Sequence, residues 1–224
     1  MSSEVVGAYI PKEVEVTIQN MVASVTTGEA IDIDAVVRNF PSVKYRPETF
    51  PGLVFRLEKP KTTTLIFRSG KMICTGAKSR TDLEEAIGKV LQMLKKKGII
   101  SQAKPEIKVR NIVSTASLGG NIDLDRAAYF LGRTMYDPEQ FPGAIYRMDE
   151  PKIVFLIFAS GNVVILGAKS EDESTLAVRR LREIFEEKGM ILGDWKYSSP
   201  SFHVLKRART NRWFHGRPVT VSKP

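Results

Sequence analysis

The chain is written twice, and this limits what it can fold into more than any other feature. Set against itself at a shift of 91 residues, SVKYRPETFPGLVFRLEKPKTTTLIFRSGKMICTGAKS from Ser42 aligns with RTMYDPEQFPGAIYRMDEPKIVFLIFASGNVVILGAKS from Arg133. Upstream, IQNMVASVTTGEAIDID from Ile18 aligns with VRNIVSTASLGGNIDLD from Val109. Roughly a third of the paired positions are identical, without a gap, which is the mark of an internal duplication. The expected organisation is a short N-terminal arm (1–12), a first repeat (13–103), a second repeat (104–194) and a basic C-terminal extension (195–224).

Each copy reads as the same run of elements. A strand over Glu15–Val25 precedes a short helix over Ile31–Phe40, with Gly28 in the turn between them. Phe50-Pro51-Gly52 turns the chain into a strand at Leu53–Leu57, and Lys59-Pro60 turns it back into Thr63–Phe67. Ser69-Gly70 leads to Met72–Thr75. A long helix follows over Arg80–Lys97, with Leu83, Ile87, Val90, Leu91 and Leu94 at helical spacing and Gly98 as its stop. In the second long helix the corresponding stripe is Leu176, Val178, Leu181, Ile184 and Phe185. Asp32, Asp34, Asp123 and Asp125 stand at helix starts and read as caps.

The strands are apolar on both faces. Ile18 and Val22 are expected on one side of the first strand, with Met21, Ala23 and Val25 on the other; Ile73 opposes Met72 and Cys74. An antiparallel sheet with helices on one side is normally polar on the other. Two helices per copy cannot cover both faces, so the expected class is α+β. A tandem duplicated unit forms one continuous curved antiparallel sheet, a saddle, with helices on the convex face and a partner against the concave one.

Charge and composition narrow the partner. The net charge is +9, and Trp195–Pro224 contains no Asp or Glu beside Lys196, Lys206, Arg207, Arg209, Arg212, Arg217 and Lys223. Such a tail can attract phosphates but cannot select a sequence. Cys74 is the only cysteine, so no internal disulfide or thiolate zinc site can form. His203 and His215 have no acidic residue beside them. No run of apolar residues is long enough for a membrane-spanning helix, and the N-terminus lacks an export-signal layout. No cofactor, metal or catalysis is expected. GKMICTGAKS fails as a phosphate-binding loop because five residues separate Gly70 from Gly76 and Ala77 precedes Lys78. Two competing readings are an RNA- or protein-binding sheet and a purely structural pseudo-dimer. RNA-recognition sheets carry stacking aromatics centrally, whereas here aliphatics are central and the repeated aromatics lie at strand junctions.

The doubled block with FPGLVFR, KPKTTTLIFRSGK and TGAKS resembles the TATA-box-binding protein family, and the short N-terminal arm resembles its archaeal form. The likeness runs over about residues 13 to 194 and recurs in both halves. It implies a general transcription initiation factor that binds and bends A·T-rich TATA elements of double-stranded DNA through the minor groove. It implies recruitment of a TFIIB-like factor and, indirectly, RNA polymerase, in an archaeal cytoplasm on the nucleoid. By the same resemblance, Phe50 and Phe67, with Phe141 and Phe158, are wedges that enter base steps. Asn20 and Asn111 donate to adenine N3 or thymine O2 at the centre, where guanine would present a clashing amino group. Val22, Val113, Leu65, Leu156, Ile73, Val164 and Thr75 lie on sugars and base edges. Leu166, opposite Thr75, departs from the hydroxyl usual there and makes central readout less symmetric. Arg56, Arg147, Lys61, Lys152, Lys71, Lys78 and Lys169 are expected on the DNA backbone. Asp137 and Glu139, beside the second Phe-Pro-Gly loop, are expected to meet the TFIIB-like factor.

Overall fold

The computed structural model describes residues 14–101 and 105–192; the arm 1–12 and the basic extension 195–224 lie outside the described residues. The first copy contributes strand β1 (Thr17–Thr26), helix α1 (Ile33–Asn39), strands β2 (Lys44–Arg46), β3 (Phe50–Leu57), β4 (Thr62–Ile66) and β5 (Lys71–Ala77), and helix α2 (Arg80–Lys96). The second contributes β6 (Glu106–Ser117), β7 (Asn121–Ile122), α3 (Leu124–Phe130), β8 (Thr134–Met135), β9 (Gly143–Met148), β10 (Ile153–Phe158), β11 (Asn162–Ala168), α4 (Glu171–Glu187) and β12 (Ile191–Leu192).

One ten-stranded sheet runs β2-β3-β4-β5-β1-β6-β11-β10-β9-β8, and β12 pairs with β7 separately. Every pairing in the large sheet is antiparallel. The two copies meet at β1 and β6, where Met21 faces Ile112, its own counterpart in the repeat. A residue opposite its own mate marks a local dyad, and Asn20–Val113 and Val22–Asn111 flank it symmetrically.

Alternation along each strand sorts side chains between the two faces. Met21, Ala23, Val25, Leu53, Phe55, Ile66, Met72 and Cys74 join one buried cluster, with Ile112, Phe155, Ile157, Val163 and Ile165 from the second copy. All four helices feed that cluster: Ile33 and Val36, Leu83 to Leu94, Leu124 and Ala127, and Ala177, Val178, Leu181 and Phe185. Each large side chain removed from water there contributes about 1.5–3 kcal/mol. The duplicated α+β unit and its helix-backed antiparallel sheet are therefore those expected from the sequence.

The long helices start and stop by the same local chemistry in both copies. Ser79 Oγ accepts from Asp82 N–H at 3.0 Å, and Ser170 Oγ from Glu173 N–H at 3.1 Å. Gly98 (φ 65°) and Gly189 (φ 57°) close them. Ile99 N–H reaches Leu94 C=O at 3.1 Å and Met190 N–H reaches Phe185 C=O at 2.8 Å. These bonds satisfy carbonyls the helix leaves orphaned, and the left-handed turn they need suits glycine.

Several local expectations change. Phe50-Pro51-Gly52 lies inside β3 rather than in a turn before it. Leu176 is 46 % exposed, so the buried stripe of α4 runs through Ala177 instead. Asp32 and Asp123 cap their helices, but Asp34 and Asp125 sit in the first turn, and Asp34 pairs with Arg68 at 2.8 Å. Ile18 packs against the core and not on the same side as Val22. The reason is a bulge: β1 takes two steps, Ile18 to Asn20, for one step from Ser114 to Val113 on β6. An extra residue resets the alternation beyond it. Past the dyad β6 does the reverse, spending Val109 to Asn111 against Val22 to Ala23.

Leu94 and Phe185 are fully buried counterparts at the same point of the two long helices. Leu94→Ala or Phe185→Ala should each destabilise by about 2–5 kcal/mol, read from urea unfolding followed by far-UV circular dichroism. Burial pushes the Cys74 thiol up, so a thiol reagent should label it at neutral pH only after unfolding.

Candidate nucleic-acid interface

The face away from the helices carries none of the core cluster. Val22, Val54, Leu65, Ile73, Val113, Ile145, Val154, Leu156 and Leu166 lie there half-buried, and no helix among the described residues covers them. Val164 shares this face but retains only 6 % exposure, between Leu156 and Thr115 in the register. In-register rows cross the sheet on either side of the dyad. One runs Arg56, Thr63, Thr75, Val22, Asn111; its mate runs Arg147, Val154, Leu166, Val113, Asn20. The structure thus brings the expected central asparagines, their aliphatic neighbours and the two arginines onto one surface in two matching lines.

The asparagines are held in a fixed sense. Gly76 N–H donates to Asn20 Oδ1 at 2.8 Å and Thr75 Oγ1 donates to the same oxygen at 3.2 Å. Gly167 N–H donates to Asn111 Oδ1 at 2.9 Å. A backbone N–H can only donate, so it assigns the amide oxygen and turns each NH₂ away as a free donor. Leu166 supplies no hydroxyl, so Asn111 has one such bond where Asn20 has two.

The four phenylalanines form two matching pairs at the ends of the surface. Phe50 and Phe67 have ring centroids 5.9 Å apart and planes at 67°. Phe141 and Phe158 stand at 5.8 Å and 61°. None enters the core cluster: Phe50 is 40 % exposed and the other three are half-buried. The glycine of each Phe-Pro-Gly makes room for them. A Cβ on Gly52 would lie 2.5 Å from Phe50 Cε1 and 2.9 Å from Phe67 Cε1. On Gly143 it would lie 2.9 Å from both Phe141 Cε1 and the Ile157 carbonyl oxygen.

Arg56, Arg147, Lys61, Lys152, Lys71, Lys78 and Lys169 are all exposed, and none makes an ion pair among the described residues. Arg38, Arg68, Arg80, Lys89, Lys108, Arg133 and Arg182 are paired with carboxylates instead. The cations expected on a phosphate backbone thus have no carboxylate partner among the described residues. Of the two acids beside Phe141, Asp137 is taken up locally: its carboxylate accepts from Glu139 N–H at 3.2 Å and Gln140 Nε2 at 2.6 Å. Glu139 is exposed. No group of three or more His, Cys, Asp or Glu side chains among the described residues is placed to hold a metal ion.

Three features of the surface emerge only in the structure. Gly52 and Gly143 are spacers beneath the rings, Gly76 and Gly167 orient the asparagines, and the bulge residues Gln19 and Arg110 lie on the open face. The recurrence of each glycine at the repeat shift was the available signal. The bulges leave none, because both copies carry the extra residue at the same place.

A duplicated α+β sheet with one helix-backed face and one open, aliphatic, ring-bounded face defines the class: a sheet-surface binding protein built by duplication. The chain belongs to the family described as transcription factor TFIID (or TATA-binding protein, TBP), whose model matches twice, over residues 15–97 and 106–188. It is 52 % identical over 172 residues to the TATA-box-binding protein of Sulfolobus acidocaldarius, covering 77 % of this chain and 87 % of that one. It is 48 % identical over 175 residues to that of Methanocaldococcus jannaschii, covering 78 % and 96 %. The solved structure of Methanococcus jannaschii TBP superposes with a TM-score of 0.74 at 48 % identity, covering 77 % of this chain and 99 % of that one.

Gly52→Ala should part the Phe50–Phe67 pair with little loss of stability, because exposed Phe50 can swing outward. Gly143→Ala should also destabilise, since its Cβ meets a backbone carbonyl that cannot move freely. Ring-to-ring nuclear Overhauser contacts and urea midpoints of the two variants separate these outcomes.

Proposed function

We propose that this protein is a general transcription initiation factor that grips and bends A·T-rich TATA elements of double-stranded DNA through the minor groove. The observation that carries the reading is an uncovered aliphatic sheet face bounded by two half-exposed phenylalanine pairs in matching geometry. Phe50 and Phe67 wedge one end of the site, Phe141 and Phe158 the other. Partial unstacking costs a few kcal/mol per step, which an inserted ring offsets in part.

Between the wedges, Val22, Val113, Leu65, Leu156, Ile73, Val164 and Thr75 lie against sugars and base edges and expel water. The free NH₂ groups of Asn20 and Asn111 donate to adenine N3 or thymine O2 near the centre, and a guanine amino group would oppose them. Arg56, Arg147, Lys61, Lys152, Lys71, Lys78 and Lys169 neutralise phosphates and set position without reading sequence. The repeats, residues 13–103 and 104–194, act as the two halves of the grip. A TFIIB-like factor docks beside the second Phe-Pro-Gly segment, with Glu139 as its exposed acid and Asp137 shaping the turn beneath, and it brings RNA polymerase. The site of action is the nucleoid in an archaeal cytoplasm. Aliphatic side chains at the middle of the sheet favour this reading over single-stranded RNA, which needs stacking rings there.

The reading predicts preference for a TATAAA-like duplex over a G·C-rich duplex and over single-stranded RNA, with bending seen by fluorescence transfer between labelled DNA ends. Phe141→Ala and Phe158→Ala should each weaken binding sharply and reduce the bend while leaving the urea midpoint nearly unchanged; an unchanged bend angle in both would refute the wedge assignment. Asn111→Ala should relax the preference for A·T pairs. Arg147→Ala should lower affinity on all sequences and shrink the slope of log affinity against log salt by about one.

A further inference from the structure

On a site that is nearly symmetric, only positions that differ between the two copies can tell one direction from the other. On the open face, the bulge residues are such a pair: Gln19 in β1 and Arg110 in β6, related by the repeat shift. Both make the same anchoring contact across the seam. Gln19 Nε2 donates to Thr115 Oγ1 at 3.0 Å, and Arg110 Nε donates to Ser24 Oγ at 2.8 Å; Ser24 and Thr115 are themselves repeat mates. The anchor therefore fixes both side chains in equivalent places. What each leaves free differs in kind: Gln19 keeps an acceptor, Arg110 keeps donors alone.

With one N–H of Nε2 committed, Gln19 keeps its amide oxygen, an acceptor, together with the second N–H. Thr115 Oγ1 has its own hydrogen directed at the Thr17 carbonyl, 3.5 Å away, consistent with Thr115 accepting from the amide nitrogen. With Nε committed, Arg110 leaves two terminal nitrogens that can only donate, and neither has a partner among the described residues. Arg110 is exposed and lines a shallow groove of about 390 Å³ with Phe67, Ile73, Ser24 and Lys71. It is carried by the second copy but shares this groove with Ser24, Ile73 and Phe67 of the first copy's half of the sheet. Lys71, in the same groove, has neutral Asn162 as its mate; Glu106 pairs with Lys108 at 2.6 Å and also feels the charge of Arg110.

We propose that Gln19 and Arg110 are a specificity-determining pair that makes the two halves of the duplex site unequal. The Arg110 half demands acceptors only, and so A·T pairs; the Gln19 half accepts a guanine amino group and tolerates a G·C pair. In the minor groove that amino group is the one donor distinguishing G·C from A·T, so a donor-only side chain rejects it and an acceptor welcomes it. The protein should then turn itself so that Gln19 lies over the end of the site that holds G·C. This rests on the minor-groove reading given above, which it deepens.

The test uses the full chain carrying one fluorophore on the helix side, through Glu187→Cys, since buried Cys74 is inert to labelling. The DNA is a palindromic A·T site with a single G·C pair placed midway between its centre and one end, and an acceptor dye on one end. Energy transfer reports which way the protein sits. The expected result is a several-fold excess of one orientation, reversed when the G·C pair is moved to the mirror position. Arg110→Gln should bring the ratio to about one while the protein still binds, because both halves then carry an acceptor. Gln19→Arg combined with Arg110→Gln should reverse the wild-type preference. A wild-type ratio of one, or a preference that survives Arg110→Gln unchanged, overturns the proposal. Loss of A·T preference and of bending in the wild type would instead overturn the minor-groove reading itself, so the two failures are distinct.

Discussion

The hydrogen-bonded seam between β1 and β6 is the constraint on which the rest of the molecule depends. With Met21 opposite Ile112, each copy's first strand completes the other's sheet, and two five-strand halves become one surface. Neither first strand is left as an edge in the middle, where an unpaired ladder would invite pairing with another chain. The seam also sets distances: because it is continuous, the two ring pairs are held at opposite ends of one rigid platform. A binding partner therefore meets a span whose length is set by backbone pairing and not by a flexible joint.

The same sheet has two faces with different fates. On one, alternating residues of both copies and all four helices form a single core. On the other, side chains of similar hydrophobicity stay half-exposed. An exposed apolar surface of this kind is the mark of an interaction site. The polar groups at its centre are oriented. The asparagines show their donors because backbone amides of Gly76 and Gly167 claim their oxygens, and the exposed cations lack the carboxylate partners that their neighbours have.

Much of this was legible in the residues. Duplication, the long helices with their glycine stops, and an apolar second sheet face followed from the repeat shift and from periodicity. The recurring Phe-Pro-Gly and Leu-Ile-Phe contexts pointed to the rings, and the structure leaves all four outside the core. What escaped had physical causes. Leu176 satisfies helical spacing, yet it is exposed while Ala177 beside it is buried, so periodicity overstates the stripe. Asp34 sits at a helix start like a cap, but Arg68 from a distant turn takes its carboxylate, and that contact depends on tertiary structure alone. Strict alternation assumes an uninterrupted ladder and so puts Ile18 beside Val22, whereas the bulge turns it to the core. The short strands β2, β8, β7 and β12 are too brief to show a period.

The bulges carry a consequence for how such a chain can change over generations. Surplus residues offset the pleat at mirrored points of the surface, one in β1 and one in β6, with Gly76 in β5 and Gly167 in β11 beside them. Losing or gaining a single residue in either strand would invert inside and outside for everything beyond it. The duplicate halves are thus free to drift in chemistry, as Gln19 and Arg110 have done, while their lengths stay locked together. Within these two strands the pleat tolerates an exchange of residues but not a change in their number.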